Sequence, residues 1–254
     1  MIISIANQKG GVSKTTTSIN LAYGLKEFKK KVLLVDLDPQ ASLTKSLGLR
    51  EKGKEKSLHH LFKNGKHLND ILINHKGIDL LISDIYLSGI ERRSDLNMFF
   101  VLRENLKIIQ KEYDFIIIDC PPSLGILTVN AFIASDYIII PMQTEYLSMD
   151  GIDLLLDTYS EIKNIHNKEL NILGVLFTQY DARRNLDKSV VKALKSESIP
   201  TFETIINRSV ELSEAPAHSK SIFEYFPDGR GAKEYLNFAK EVIEWLNQKW
   251  LKIL

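Results

Sequence analysis

Residues 7–16 read NQKGGVSKTT, and this stretch decides the fold. It follows an apolar run, IISIA at 2–6, and leads into a segment with helical spacing at 15–28. A glycine pair at such a junction, Gly10 and Gly11, lets the backbone approach an anion closely. A helix that begins near Lys14 or Thr15 aims unpaired N–H groups and a partial positive charge at that point. Lys14 can reach the β- and γ-phosphates of a nucleotide, and the Thr15 hydroxyl can ligate Mg²⁺. The loop therefore offers Gly10, Gly11, Val12, Ser13, Lys14, Thr15 and Thr16 to a nucleotide. Two residues break the usual pattern. Lys9 adds a second cation ahead of the glycines, and Ser13 stands where a glycine normally precedes the lysine. Two cations in one loop repel each other unless a highly charged anion lies between them. Serine costs on the order of 1–2 kcal/mol there if the backbone is left-handed, and little if it is ordinary.

Outward from the loop, short apolar runs alternate with amphipathic stretches to the end of the chain. The runs at 2–6, 31–36, 77–83, 115–119, 137–141 and 171–178 are rich in β-branched residues and leucine and lack polar alternation. Strands buried on both faces read this way. The segments 15–28, 97–111, 123–134, 149–166, 186–198 and 230–250 have helical spacing. Such alternation predicts an α/β fold, a mostly parallel twisted sheet with helices on both faces. The charged stretch REKGKEKS at 50–57 reads as a solvated loop, and no repeat or Pro/Gly-rich linker divides the chain, so 1–254 is expected to be one domain. Ligands of such sheets bind beyond the carboxyl ends of the strands. The chemistry is therefore expected after Ala6, Asp36 and Asp119.

Composition narrows the class further. The chain has 254 residues, 44% of them hydrophobic, with a formal net charge of +1. Near-neutrality argues neither for nor against a polyanionic partner, so any basic patch must be local. No apolar run of about 18 residues appears, so no transmembrane helix is expected. The start MIISIANQ lacks the basic-then-apolar order of a signal peptide, and Cys120 is the single cysteine. Both point to the cytoplasm. Cys120 follows a buried strand with no histidine nearby in sequence, and reads as packing rather than as a nucleophile.

KGGVSKTT resembles the deviant Walker A box of the ParA/Soj/MinD ATPases, usually written KGGVGKTT. The likeness continues through LLVDLDPQAS (33–42), YDFIIIDCPPSLG (113–125), IIIPMQTEYLSMDG (138–151), FTQYDAR (177–183) and SEAPAHSK (213–220). DLDPQ and SEAP resemble the ParA/Soj branch in particular. This resemblance implies a P-loop ATPase that uses ATP/ADP and Mg²⁺ and forms a homodimer around ATP. It implies that Lys9 reaches across the dimer to the partner's phosphates and stabilises charge on the transferring phosphoryl group. Asp38 is then the residue that positions or activates the attacking water, and Asp119 the Walker B residue that holds Mg²⁺ through a water. Asp36 stays open between support of the metal shell and bonding of loop amides at the end of its strand.

The same resemblance places the adenine side of the pocket at the loop running into SEAP, where Asn207, Glu214 and Pro216 are candidates. It also implies non-specific double-stranded DNA as a partner. Arg183, Arg184, Lys188, Lys192 and Lys195 form a basic stretch, with 188, 192 and 195 on one helical face. Arg208 matches a basic family position, whereas Glu211 stands where a second basic residue is common; Lys220, Arg230 and Lys233 could compensate. The expected function is DNA partition: ATP makes a DNA-binding dimer, and a ParB-like centromere-binding partner triggers hydrolysis and release at the nucleoid. The alternatives are a MinD-like positioning ATPase at the membrane and a nucleotide switch with little turnover. The apolar stripe Val242, Trp245, Leu246, Trp250 and Ile253 fits a final helix docked on the sheet better than a membrane anchor.

Overall fold

A computed structural model describes residues 1–49, 56–65, 67–92, 96–144, 150–184 and 199–251. Its core is a seven-stranded sheet ordered β3-β4-β2-β5-β1-β6-β7. The strands are β1 (Ile2–Ile5), β2 (Val32–Asp36), β3 (Ile73–His75), β4 (Ile78–Leu81), β5 (Phe115–Asp119), β6 (Tyr137–Gln143) and β7 (Asn171–Thr178). All pairings are parallel except β3 with β4. Every residue of β1, β2 and β5 is buried, which is why their sequences are unbroken apolar runs.

The two-residue period of a strand divides these runs between two cores. Ile3, Ile5, Val32, Leu34 and Ile117 join one cluster with helix α1 (Lys14–Glu27) and the C-terminal helix (Arg230–Leu251). Ile2, Leu33, Val35, Ile116 and Ile118 join the other, with the helices Val101–Ile109, Ile126–Ala134 and Asp150–Ile165. Helix α1 and the C-terminal helix approach closely at Gly24. A methyl group there would lie 3.0 Å from Ala239 Cβ and 3.2 Å from the Tyr235 carbonyl. Val242 and Leu246 are buried, and Trp245 stacks on Phe202 with ring centroids 4.6 Å apart. The final helix therefore packs on the sheet through these residues. None of the helices among the described residues is long and apolar enough to cross a membrane.

The α/β architecture agrees with the expectation, with two differences. Strand β3 carries no apolar run because it is a half-exposed edge of three residues. It pairs through a hairpin whose turn residues, Lys76 and Gly77, both have positive φ. The stretch expected as one helix at 97–111 is a 3₁₀ turn, the helix Val101–Ile109 and a second 3₁₀ turn. The helix expected at 186–198 lies outside the described residues.

Candidate functional site

The central strands deliver their ends side by side. Asp36 pairs in register with Asp119, and Ile5 pairs with Asp119 from the other flank. The loop between β1 and α1 crosses this edge. Asn7 is buried and anchors its entrance, donating Nδ2 to Pro141 O at 2.8 Å while its Oδ1 accepts Lys9 N at 2.9 Å. The outer strands pin the loop's carbonyls. Thr178 Oγ1 donates to Val12 O at 3.1 Å, and the side chains of Gln143 and Gln179 donate to Gly11 O at 3.0 and 2.8 Å. Gly11 has φ +76°, and methyl groups at Gly10 or Gly11 would meet nothing within 4 Å. The glycines thus leave a clear approach to the backbone.

Ser13 has φ 66°, so the left-handed case applies and its side chain is strained. Its Oγ accepts a hydrogen bond from Gln179 Nε2 at 2.9 Å, and Gln179 itself has φ 53°. Two strained residues 166 positions apart in the chain thereby hold each other. Ser13 caps α1 without a side-chain hydrogen bond to the helix, so its own hydroxyl does not occupy the amides at that N-terminus.

Lys14 is buried, and its Nζ donates to the Lys9 carbonyl at 2.9 Å. Burial lowers its pKa, opposed by the nearby charge of Asp119. Thr15 Oγ1 donates to Asp119 Oδ2 at 2.7 Å, and Ser18 Oγ donates to Oδ1 at 2.9 Å. Burial still pushes the Asp119 carboxyl up to about 7. Asp36 is also fully buried, and its carboxyl is pushed up to about 8 by burial and then by Asp119. Its Oδ2 accepts Thr44 N at 2.9 Å and Thr44 Oγ1 at 2.6 Å, and Oδ1 accepts Asp38 N at 3.2 Å. Asp36 thus bonds the loop that carries Asp38. Asp38 is half-buried, and its Oδ1 accepts Gln40 N at 2.9 Å. Cys120 is buried with its thiol pushed up by burial, the state of an inert sulfur.

A cleft of about 1030 Å³ runs from Gly10, Lys14 and Thr15 past Asp38 to Asn207 and Pro216. Lys9, half-buried, lies at the loop's edge. Arg183, Arg208 and Arg230 line this same cleft, so the expected DNA residues and the phosphate loop share one face. Arg183 is bound through Nε and a terminal nitrogen to Asp181 at 2.9 and 2.7 Å. Arg230 donates to the Arg208 carbonyl at 3.2 Å. Arg184 and Lys220 are exposed, and Lys220 lines a small neighbouring recess with Thr15 and Thr16. Lys188, Lys192 and Lys195 lie outside the described residues. Glu214 accepts from Tyr225 OH at 2.9 Å, whereas Asn207 is bonded to Glu234. Sequence reading missed Ser18, Thr44, Gln143, Gln179 and Glu234. Only Ser18, one turn after Lys14 in the helix, carried a local signal.

Comparison with known proteins agrees with this geometry. Residues 1–172 match the family model described as an AAA domain. The sporulation initiation inhibitor protein Soj of Bacillus subtilis is 43% identical over 95% of this chain and 97% of its own. The chromosome partitioning protein ParA of Myxococcus xanthus is 36% identical over 96% and 88%. Among solved structures, a putative plasmid partition protein of Borrelia burgdorferi bound to AMPPNP aligns with TM-score 0.81 and 27% identity, covering 98% of each chain. A Mycobacterium smegmatis protein described as cobyrinic acid a,c-diamide synthase, with bound ADP and magnesium, aligns with TM-score 0.81 and 33% identity over 94% and 92%. With its phosphate loop, paired strand-end carboxylates and full-length likeness to Soj and ParA, the chain belongs to the ParA/Soj family of partition ATPases.

Proposed function

We propose that the cleft takes ATP with Mg²⁺ and that hydrolysis there switches a DNA-binding dimer. The observation that carries this is the convergence of Lys14, Thr15, Asp119 and Asp38 beside an open glycine backbone. The donor set fits Mg²⁺. Thr15 Oγ1 and Asp119 lie together, and the buried Asp119 carboxyl, pushed up by burial, gains from a cation beside it. Among the described residues no cluster of three His, Cys, Asp or Glu could hold a metal unaided. That matches an ion which takes one or two protein oxygens and the rest from water and phosphate. Bound there, Mg²⁺ would neutralise charge on the phosphates.

The chain's own residues do the rest. Lys14 leaves the Lys9 carbonyl for the β- and γ-phosphates, and the α1 amides receive the same anion. Thr15 and Asp119 hold the metal, Asp119 through a water. Asp36 keeps the 38–44 loop in place and is not a ligand in this scheme. Asp38 orients the attacking water. Lys9 then reaches the phosphates of a second copy, so dimerisation follows nucleotide binding. Asn207 and Pro216 face the base.

Arg183, Arg184, Arg208, Lys220 and Arg230, with Lys188 and Lys192, supply phosphate contacts to double-stranded DNA without base readout. A ParB-like partner stimulates hydrolysis and release, which places the protein in the cytoplasm on the nucleoid. The packed Val242, Trp245 and Leu246 favour DNA over a membrane surface. Sedimentation with plasmid DNA and with liposomes, each with and without Mg-ATP, tests the choice. ATP-dependent recovery with DNA alone is expected, and recovery with liposomes alone would reverse it.

A further inference from the structure

The wall of the cleft beyond the phosphate loop carries a polar side chain whose orientation its neighbour dictates. Asn207 donates its backbone N–H to Glu234 Oε2 at 2.9 Å and its side-chain Nδ2 to Glu234 Oε1 at 2.6 Å. The Glu234 side chain is only 14% exposed, and Arg230 Nε lies 3.3 Å from the same Oε1. A carboxylate held by an arginine accepts at both oxygens and donates from neither. The amide nitrogen of Asn207 therefore faces Glu234, and Oδ1 is left to the cleft that Asn207 lines. Among the described residues no donor reaches that oxygen. Ile206, Val210, Leu212 and Pro216 line the cleft in the same region, apolar surface suited to the flat faces of a base.

We propose that the Asn207–Glu234 pair selects adenine over guanine, with Glu234 as a positioning residue that keeps the Asn207 acceptor, Oδ1, towards the base. Adenine carries an exocyclic amino donor where guanine carries a carbonyl acceptor. A fixed acceptor pairs with the first and opposes the second. Without the carboxylate the amide is free to turn over and to offer its NH₂ to guanine. The proposal rests on the nucleotide reading of the cleft.

The C-terminal helix supplies its own control. Two turns beyond Glu234, Glu241 accepts Glu203 N at 2.7 Å and Thr204 N at 2.9 Å. It clasps the same 203–207 segment but is not among the described residues that line the cleft. If Glu234 were only a clasp, the two glutamates would behave alike.

The test measures ATP and GTP dissociation constants with Mg²⁺, together with thermal melting. The proteins are the unaltered chain, Asn207→Ala, Glu234→Gln and Glu241→Gln. The unaltered chain is expected to prefer ATP. Asn207→Ala and Glu234→Gln should each lower that preference roughly tenfold, the worth of one hydrogen bond. Glu241→Gln should lower the melting temperature without changing the preference. Asn207→Ala leaves Glu234 with Arg230 and the backbone amide, so it carries the test even where Glu234→Gln folds poorly. An unaltered chain that binds ATP and GTP equally overturns the proposal alone, as does a preference that survives Asn207→Ala. An unaltered chain that binds neither nucleotide overturns the nucleotide reading and the proposal with it.

Discussion

The phosphate loop and the arginine rim lie on one cleft but are built by different means. In the loop, Gly11 O, Val12 O and the Ser13 hydroxyl are all held by side chains from β6 and the end of β7. The Lys14 ammonium and the Thr15 hydroxyl are tied to groups that a phosphate and a metal can replace. On the rim, the Arg183 side chain is 89% exposed and turned onto Asp181. Exposed pairs of that kind contribute little and are screened by salt. The comparison separates two kinds of recognition. In the proposed function the loop acts as a preorganised cradle in which single groups have large effects, and the rim as a diffuse field in which effects accumulate from several charges.

The largest effect is therefore expected in the loop. Lys14→Ala should reduce ATP affinity on the order of a hundredfold or more, because a buried charged donor is lost. Asp38→Ala should bind ATP and dimerise yet lose about a hundredfold or more in hydrolysis, the scale of a lost proton-transfer or water-positioning group. Titration calorimetry alongside phosphate release checks this division. Equal loss of ATP affinity in both variants would break it.

Next in size is Lys9→Ala, which should keep ATP affinity but neither dimerise nor hydrolyse. Size-exclusion chromatography with Mg-ATP reads the outcome. An active, ATP-dependent Lys9→Ala dimer would remove the role across the interface.

The rim should respond gradually. Replacing Arg183, Arg184 and Arg208 together by Ala should flatten the salt dependence of DNA affinity, each lost contact removing about 0.9 from the log–log slope. Arg183 must leave Asp181 to contribute, so its share is expected to be the smallest. An unchanged slope would move the DNA surface towards Lys220 and Arg230.

The smallest effect is at Ser13. Its left-handed backbone makes Ser13→Gly a relief of strain, and the same change removes the acceptor that Gln179 uses. Partner-stimulated turnover should rise severalfold with little change in ATP affinity if the strain acts where the proposed loop meets the transferring phosphoryl group. A gain wholly in affinity would place the strain in binding instead.

What could be read in the sequence follows the same division. The central strands were legible because burial on both faces writes an unbroken apolar run, and the loop because strand, glycines, lysine and helix are consecutive. Strand β3 was not, since three half-exposed residues carry no run. The backbone angle at Ser13 was a conditional that only coordinates decide. Gln143 and Gln179 reach the loop from 132 and 168 residues away, a contact that no local pattern encodes. In the sequence Asp36 stood open between support of the metal shell and bonding of loop amides. Its hydrogen bonds to Thr44 and the Asp38 amide give it a loop to hold.

The central claim is that nucleotide in this cleft controls DNA binding, and one measurement addresses it directly. Affinity for a non-specific DNA duplex is compared with Mg-ATP, with Mg-ADP and without nucleotide, for the unaltered chain and for Lys14→Ala. Tight binding is expected for the unaltered chain with Mg-ATP only, and no nucleotide response for Lys14→Ala. DNA binding of equal strength in all three states, or an ATP response that survives Lys14→Ala, would contradict the account.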